Sequence, residues 1–278
     1  MIQGILSRSA LYLCLPLLLS VLVASGCLAY NEDCLAPADL QEPDTIVGYL
    51  ARSFPVRQSL VRTRETSVGN LVADAYMDAY NNPQNPSYRD DVAPVDGAFE
   101  NSGAIREQGF CEPVEELPGD PVDPPPIRRV DLREVLQFTN RVVVVELTSA
   151  DLWDVLEHSV SALNSPNPAR GHFLQIAGME VFVDCSRPAE DRVVTVSIGN
   201  DPITRDGEDV FRLATNDFLL QAEGNDGFET LAGRPRHNSL GQYSFEVVED
   251  YLLLHSSQES PYDPPEPPQR IILTNCNE

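Results

Sequence analysis

The sequence predicts a single α+β domain, in which a mixed β-sheet is flanked by helices. The β-branched run from Arg141 to Leu147 is typical of a buried strand, and a helical pattern follows it directly. The segments FLQIAGMEVFVD and RVVTVSIGNDPI alternate as antiparallel strands do, with turns expected at Gly178 and at Asn200-Asp201. Strand–helix steps combined with hairpins favour an α+β architecture over a purely parallel one.

The remaining elements follow from local patterns. In TSVGNLVADAYMDAY, apolar residues recur at helical spacing, so we expect a helix that begins near Thr66. Thr148 and Asp151 match a capping box, which predicts a second helix with His158 on its partly exposed surface. VFRLATNDFLL and the residues before NSGAIR predict strands, SLGQYSFEVVEDYLLLHSS predicts a closing helix, and RIILTN predicts a final edge strand.

The N-terminal segment is expected to direct export. Residues 1–26 have an apolar core after one basic residue and are interpreted as a signal peptide. The ending LVASGC resembles a bacterial lipobox, which would make Cys27 the lipidated residue of an envelope protein facing the periplasm or the exterior. The alternatives are ordinary cleavage near Ala29 or an uncleaved anchor. Residues 27–44 form an acidic tether, and the domain is expected over residues 45–278.

The charge balance restricts the partners. The chain has 43 acidic residues, 19 basic residues that are all arginine, and a formal net charge of −24. Binding of a nucleic-acid polymer needs a basic face that displaces counterions, so this partner is excluded. A local arginine pocket for one small anion remains compatible with the composition.

Four cysteines, Cys34, Cys111, Cys185 and Cys276, remain in the exported part besides Cys27, and they allow three pairings. We expect Cys34 to pair with Cys276, and Cys111 with Cys185. The second bridge would clip a proline-rich loop at residues 112–126. No CxxC or clustered histidine spacing indicates a metal site, and no G-x-S-x-G, P-loop or G-x-G-x-x-G motif indicates another catalytic centre. No catalytic residue and no cofactor are therefore assigned to this chain.

Five segments, in order, resemble blocks of one known family. They are RTRETSVGNLVADAY, NSGAIR, LREVLQFTNRVVVVELTSADLWDVLEHSV, GHFLQIAGMEVFVD and ATNDFLLQAEGNDGF. They resemble the C-terminal domain of 5′-nucleotidases, and the likeness extends from about Ile46 to the closing RIIL. In that family this domain recognises the nucleoside, while a separate N-terminal metallophosphoesterase domain carries the catalytic divalent metals.

The resemblance implies a set of substrate-binding residues. Phe138 and Phe218 would sandwich the base, because aromatic stacking tolerates base identity. Asp226 would accept hydrogen bonds from ribose hydroxyls. The full set that the resemblance implies is Arg62, Asn101, Gly103, Arg106, Phe138, Phe218 and Asp226, in which the arginines reach ribose and phosphate and the loop of Asn101 and Gly103 faces the nucleoside.

Other interpretations of these residues stay open. The phenylalanines could be core aromatics, Arg62 could pair with Glu65 or Glu100, and Asp226 could be a turn former. The sequence also departs from the family pattern at Gln137, Ser102 and Ala104. The loop before Asp226 is longer than the family's, so that the carboxylate could be displaced.

The functional expectation is a lipid-anchored nucleoside- or nucleotide-binding module. It would contribute to nucleotide breakdown only with a separately supplied metallophosphoesterase. The alternative is a structural or interaction lipoprotein that has kept the fold and lost the pocket. An autonomous hydrolase is the least favoured of the three hypotheses.

Overall fold

The computed structural model describes residues 45–51, 54, 57–106 and 126–276. The predictions for the signal peptide, Cys27 and the tether lie outside these residues. So does the proline-rich loop except Pro126. The described strands are β1 Ile46–Tyr49, β2 Gly97–Asn101, β3 Pro126–Arg128, β4 Val142–Thr148, β5 Leu174–Ala177, β6 Met179–Asp184, β7 Val193–Ile198, β8 Asp201–Ile203, β9 Val210–Asn216 and β10 Ile271–Thr274. The described helices are α1 Gln58–Val61, α2 Ser67–Asn81, α3 Arg129–Val135, α4 Ser149–Val160 and α5 Ser244–His255.

The central sheet has the strand order β4-β9-β2-β5. Strands β2 and β9 run parallel, and the outer strands β4 and β5 run antiparallel to them. Asn101 at the end of β2 is therefore paired with Leu174 at the start of β5, and Asn216 at the end of β9 is paired with Val142 at the start of β4. We call this end of the central sheet the site edge.

The central sheet is buried on both faces, which explains the β-branched run in β4. Successive side chains of a strand point to opposite faces. Val142 and Val144 accordingly pack in one hydrophobic cluster together with residues of α2 and α5, and Val143 and Val145 pack in a second cluster with residues of α4. The mixed sheet with helices on its faces confirms the predicted α+β class.

A second sheet has the order β10-β6-β7-β8, and β1 pairs with β3 in a two-stranded sheet. β10 lies at the edge of the second sheet, as predicted for the final strand, and it pairs in parallel with β6. The predicted turn at Gly178 is present, but the strands on its two sides do not form a hairpin. Gly178 has a φ of +73°, which glycine adopts readily, and it sends the chain from β5 in the central sheet to β6 in the second sheet.

The helix starts agree with the sequence signals. Thr66 caps α2, since its hydroxyl accepts a hydrogen bond from the backbone N–H of Gly69 at 3.2 Å. Thr148 and Asp151 form the predicted capping box of α4: the Asp151 N–H donates to the Thr148 hydroxyl, and the Asp151 carboxylate accepts from the Thr148 N–H. Within the described part of the chain, no helix is both long and apolar enough to cross a membrane.

The expected cysteine pairing is wrong for the two cysteines that the structure describes. Cys185 is bonded to Cys276, across 91 residues, with the Cα atoms 4.8 Å apart. The cause is the parallel pairing of β6 with β10, in which Asp184 is the partner of Thr274. The residues that follow this pair come close together, and the Cys185 N–H donates to the carbonyl of Thr274 at 2.9 Å. Cys34 and Cys111 lie outside the described residues.

Candidate functional site

Four loops meet at the site edge. Two of them follow the ends of β2 and β9, and the other two precede the starts of β4 and β5. Ligand sites in open α/β sheets lie outside the carboxyl ends of parallel strands, and β2 and β9 form such a pair. Six of the seven predicted site residues stand in or next to these loops: Asn101, Gly103, Arg106, Phe138, Phe218 and Asp226.

The Asp226 carboxylate is held against the end of β2. Its Oδ2 accepts a hydrogen bond from Asn101 Nδ2 at 2.7 Å. Gly103 passes so close that a Cβ atom there would lie 2.8 Å from Asp226 Oδ2 and 3.0 Å from Asn101 Nδ2. This approach is possible only without a side chain at position 103.

The turn around Asp226 is held by its neighbour. Asn225 is buried, and its Nδ2 donates to the carbonyl oxygens of Leu219 and Phe228 within the same loop, at 3.0 and 2.8 Å. Asp226 has a φ of 57°, in the left-handed region, but its carboxylate bonds to Asn101, 125 positions away. The side chain of Asp226 therefore joins two loops, which a simple turn former does not do.

Asn216 connects the two parallel strand ends. Its Nδ2 donates to Asn101 Oδ1 at 2.8 Å and to Glu100 Oε1 at 2.6 Å. Its Oδ1 accepts from the backbone N–H groups of Phe218 at 3.0 Å and Leu219 at 3.2 Å. Every donor and acceptor of this buried amide is satisfied, so Asn216 fixes the start of the loop that carries Phe218.

Arg106 and Phe138 lie against each other on the other side of Gly103. The guanidinium carbon is 5.6 Å from the centroid of the Phe138 ring, within the range of a cation–π contact. Arg106 Nη1 donates to the carbonyl of Gly103 at 3.4 Å, and its buried Nε has no hydrogen-bond partner among the described residues. The Phe138 side chain is 42% exposed, whereas Phe218 is half-buried against the second hydrophobic cluster.

The position of Arg62 depends on contacts other than those that join the remaining six predicted residues. It follows α1, and Gln175 of β5 holds its two flanking segments, because Gln175 Nε2 donates to the carbonyls of Val61 and Arg64, both at 2.8 Å. The chain of contacts that joins the other six predicted residues does not run through Arg62. Gly69 makes room for this amide, since a Cβ atom at position 69 would lie 2.1 Å from Gln175 Oε1.

The two side chains that depart from the family pattern in NSGAIR point into the protein. Ser102 is completely buried, its N–H donates to the carbonyl of Phe173 at 2.8 Å, and its hydroxyl lies 3.2 Å from the carbonyl of Gly171. Ala104 is also buried. Gly103, the remaining glycine of this loop, is the residue that approaches Asp226.

His158 has a larger role than its expected position on the surface of α4. It is half-buried, and its Nε2 lies 3.0 Å from the carbonyl oxygen of Asp226, so that a proton on Nε2 would be donated to that oxygen. Its ring packs against Phe228 and His172, with centroid distances of 4.5 and 4.6 Å. Burial, followed by the neighbouring His158 and Arg170, lowers the pKa of His172 to about 4.

The polar residues behind the site are not predicted by the sequence motifs. The sequence offers Glu100 only as a possible surface partner of Arg62, and it places Asn216 simply within a strand. Glu100 is completely buried, and burial raises its pKa to about 8, although its hydrogen bonds with Tyr76 and Asn216 oppose that shift. The available signal is the position of each residue: a polar side chain at the carboxyl end of a predicted strand.

The described part of the chain offers no evident metal centre. No group of three or more His, Cys, Asp or Glu side chains there is arranged to hold a metal ion. The polar groups at the site edge are arranged instead as a hydrogen-bonded cradle beside an exposed aromatic ring.

This fold belongs to a domain class that occurs in 5′-nucleotidases. Residues 46–233 match the family model described as 5′-nucleotidase, C-terminal domain, and the chain belongs to this family. Human 5′-nucleotidase is 29% identical over 201 residues, which cover 69% of this chain and 31% of that protein. The snake venom 5′-nucleotidase of Gloydius brevicauda is 28% identical over 197 residues, with the same coverage.

Two further comparisons extend the likeness. The trifunctional nucleotide phosphoesterase protein YfkN of Bacillus subtilis is 25% identical over 218 residues, 77% of this chain and 13% of that protein. The crystal structure of the 5′-nucleotidase precursor from Thermus thermophilus superimposes with a TM-score of 0.62 at 27% identity, covering 83% of this chain and 40% of that one. The chain thus spans less than a third of the length of these curated relatives.

Proposed function

We propose that the site edge binds a nucleoside or nucleotide, with the base between Phe138 and Phe218 and the ribose on Asp226. One observation carries this proposal. A continuous series of contacts runs from Phe138 through Arg106, Gly103, Asp226, Asn101 and Asn216 to Phe218. Residues that stand far apart in the sequence are therefore organised as one unit.

The chemistry of the unit suits a nucleoside. A half-exposed phenylalanine ring offers a stacking face, which contributes about 1–3 kcal/mol per base. Asn101 occupies Oδ2 of Asp226, which leaves Oδ1 to accept from ribose hydroxyls. Arg106 brings positive charge and a buried guanidinium Nε beside the ring in a strongly acidic protein, which favours a phosphate-bearing ligand at this edge.

Hydrolysis is proposed to require a metallophosphoesterase domain that is supplied separately. The relatives include 5′-nucleotidases and a nucleotide phosphoesterase, and the matched region makes up less than a third of each. The domain described here would then select and orient the nucleotide, and the partner domain with its divalent metals would cleave the phosphoester bond. Nucleotide catabolism is the process in which such a pair would act.

Export and lipidation at Cys27 complete the proposal. The apolar segment before Cys27 and the small residues of LVASGC support a lipid-anchored protein of the cell envelope. A relative named for its occurrence in venom is consistent with export. Mass spectrometry of the N-terminal peptide from membranes tests this point, and an unmodified Cys27 thiol in the mature protein would overturn it.

Calorimetric titration with adenosine, AMP and UDP-glucose tests the binding function. We expect heat of binding from the wild-type protein and a loss of at least tenfold in affinity for Phe138→Ala with Phe218→Ala, since each stacked ring contributes about 1–3 kcal/mol. Phe182→Ala is the matched control, because Phe182 is 44% exposed on β6 of the second sheet. No heat from the wild type with any ligand at high micromolar concentration would overturn the proposal and favour a structural lipoprotein that has lost the pocket.

A further inference from the structure

A completely buried carboxyl group lies directly behind the proposed pocket. Glu100 is the residue before Asn101 in β2, and none of its side chain is exposed. Its Oε1 accepts from Asn216 Nδ2 at 2.6 Å, and its Oε2 lies 2.5 Å from the Tyr76 hydroxyl of α2. No arginine or histidine is among the hydrogen-bond partners of this carboxyl group in the described part of the chain.

The contacts around Glu100 can accommodate a proton on its carboxyl group. The Tyr76 oxygen contacts both Glu100 Oε2 at 2.5 Å and the Ser244 hydroxyl at 2.6 Å. The Ser244 hydroxyl also contacts the carbonyl of Asn140 at 3.3 Å, and the Ser244 N–H donates to the same carbonyl at 3.0 Å. All three oxygen–oxygen contacts can be hydrogen bonds together only if three hydrogens are present, whereas the Tyr76 and Ser244 hydroxyls contribute one each. Complete burial without a cationic partner among the described residues also disfavours an ionised carboxylate. A proton on Glu100 Oε2 supplies the third, and the series then runs in one direction from Glu100 to Asn140.

Both ends of this series reach the pocket. Asn140 stands two residues after Phe138, in the loop that leads into β4. On the other side, Asn216 uses one hydrogen of its Nδ2 for Glu100 and the other for Asn101, whose own amide holds Asp226. A change at the Glu100 carboxyl is therefore passed on to the loop of Phe138 and to the carboxylate of Asp226.

We infer that Glu100 is a neutral carboxylic acid and a positioning residue, whose proton keeps the loops of the nucleoside pocket in their binding arrangement. The inference rests on the proposed nucleoside-binding function. Ionisation would remove the third hydrogen and would place a negative charge between Tyr76 and the Asp226 carboxylate, which are the titratable groups that face Glu100. Asp217 adds a further negative charge near Tyr76.

The expected consequence is a loss of nucleoside affinity at alkaline pH. Burial raises the pKa of Glu100 to about 8. If only the neutral form binds, the apparent Kd increases as the neutral fraction falls, which amounts to about tenfold between pH 7 and pH 9. Adenosine is the suitable probe because none of its groups titrates between these pH values.

The test compares adenosine affinity at pH 6.5, 7, 8 and 9 for the wild type and Glu100→Gln by calorimetry. Glutamine keeps an acceptor for Asn216 and a donor for Tyr76, and it cannot ionise. We expect about tenfold weakening between pH 7 and 9 in the wild type and a nearly constant affinity in the variant. A parallel loss in both proteins, or a constant affinity in both, would overturn the inference. Glu180→Gln, on the exposed face of β6, serves as the control and should retain the wild-type profile.

A second measurement requires neither ligand nor variant. The carboxyl carbon of Glu100, followed by NMR in the purified protein labelled at glutamate, should titrate well above the exposed glutamates. A signal of the ionised form at pH 6.5 would overturn the inference even if adenosine binds. The absence of adenosine binding at every pH would instead overturn the proposed function, and with it the role of Glu100 in the pocket, whereas the NMR titration would still decide its protonation state.

Discussion

Glu100→Gln should stabilise the folded protein at neutral pH, because the native state holds this carboxyl group in its neutral form. Its pKa is about 8 in the folded protein, against 4.5 for a glutamate side chain in water, the value that applies to the unfolded chain. The stability therefore changes with pH in the direction opposite to that caused by a salt-bridged carboxylate. Below pH 4.5 the group is neutral in both states, so its native contacts contribute fully. As the pH rises to 8, the unfolded chain gains by ionising, and the stability contributed by neutral Glu100 is lost.

The magnitude follows from the difference between the two pKa values. Each pH unit above 4.5 costs about 1.4 kcal/mol until the folded protein also ionises, which amounts to about 3 kcal/mol at pH 7. Glutamine does not ionise in either state and avoids this cost. We therefore expect Glu100→Gln to be about 3 kcal/mol more stable than the wild type at pH 7, with a much smaller difference at pH 4.5.

Urea unfolding followed by circular dichroism, with the disulfide intact, measures this difference through the midpoint at each pH. Glu180→Gln is again the control, since its side chain is exposed on β6 and the substitution should leave the midpoint nearly unchanged at both pH values. A lower midpoint of Glu100→Gln than of the wild type at pH 7, or an equal effect at pH 4.5 and pH 7, would refute a neutral Glu100. Either result would mean that the folded protein holds an ionised carboxylate.

Three other substitutions probe contacts at the site and elsewhere in the domain. Gly69→Ala should destabilise the protein by about 1–3 kcal/mol, measured by urea unfolding, because its Cβ would overlap the Gln175 amide at 2.1 Å; an unchanged midpoint would contradict this contact. Cys276→Ser should lower the free energy of unfolding by about 4 kcal/mol, because the bridge to Cys185 closes a loop of 91 residues. The melting temperature should fall accordingly, and a value equal to that of the wild type would exclude the bridge in solution. His158→Phe keeps a ring against Phe228 but removes the hydrogen bond to the Asp226 carbonyl. Because one hydrogen bond contributes about 1 kcal/mol, adenosine affinity should fall about five- to tenfold, with little change in melting temperature. Equal affinity would show that His158 does not hold the Asp226 loop.

The secondary structure could be predicted because its signals are local. Thr66 and Thr148 cap helices through residues three positions away, and the alternating burial of β4 follows from its pleat. The disulfide could not be predicted in the same way. It depends on the parallel pairing of β10 with β6, which joins residues about 90 positions apart and has no local signature.

In the candidate site, too, the local features could be predicted from the sequence and the long-range contacts could not. The sequence identifies loops with the right chemistry, since an aromatic, an arginine, a glycine and a carboxylate each stand in a recognisable motif. It does not identify Glu100, Asn216 or His158 as their supports, because those roles exist only after distant segments meet. A buried polar group is costly unless its partners are in place, so the supports are determined by the topology of the sheet rather than by the neighbouring sequence.

The longer loop before Asp226 illustrates how supporting contacts determine the position of a side chain that we propose to bind the ligand. From the sequence, extra residues between Phe218 and Asp226 are expected to endanger the site. In the structure, residues 221–224 are exposed, while the next residue, Asn225, is buried and bonded within the loop. Asp226 is then held from outside its loop, by Asn101 on its side chain and by His158 on its carbonyl group. Additional length can therefore extend into solvent without moving the carboxylate, because the two anchoring contacts come from β2 and α4, whose positions do not depend on the length of this loop.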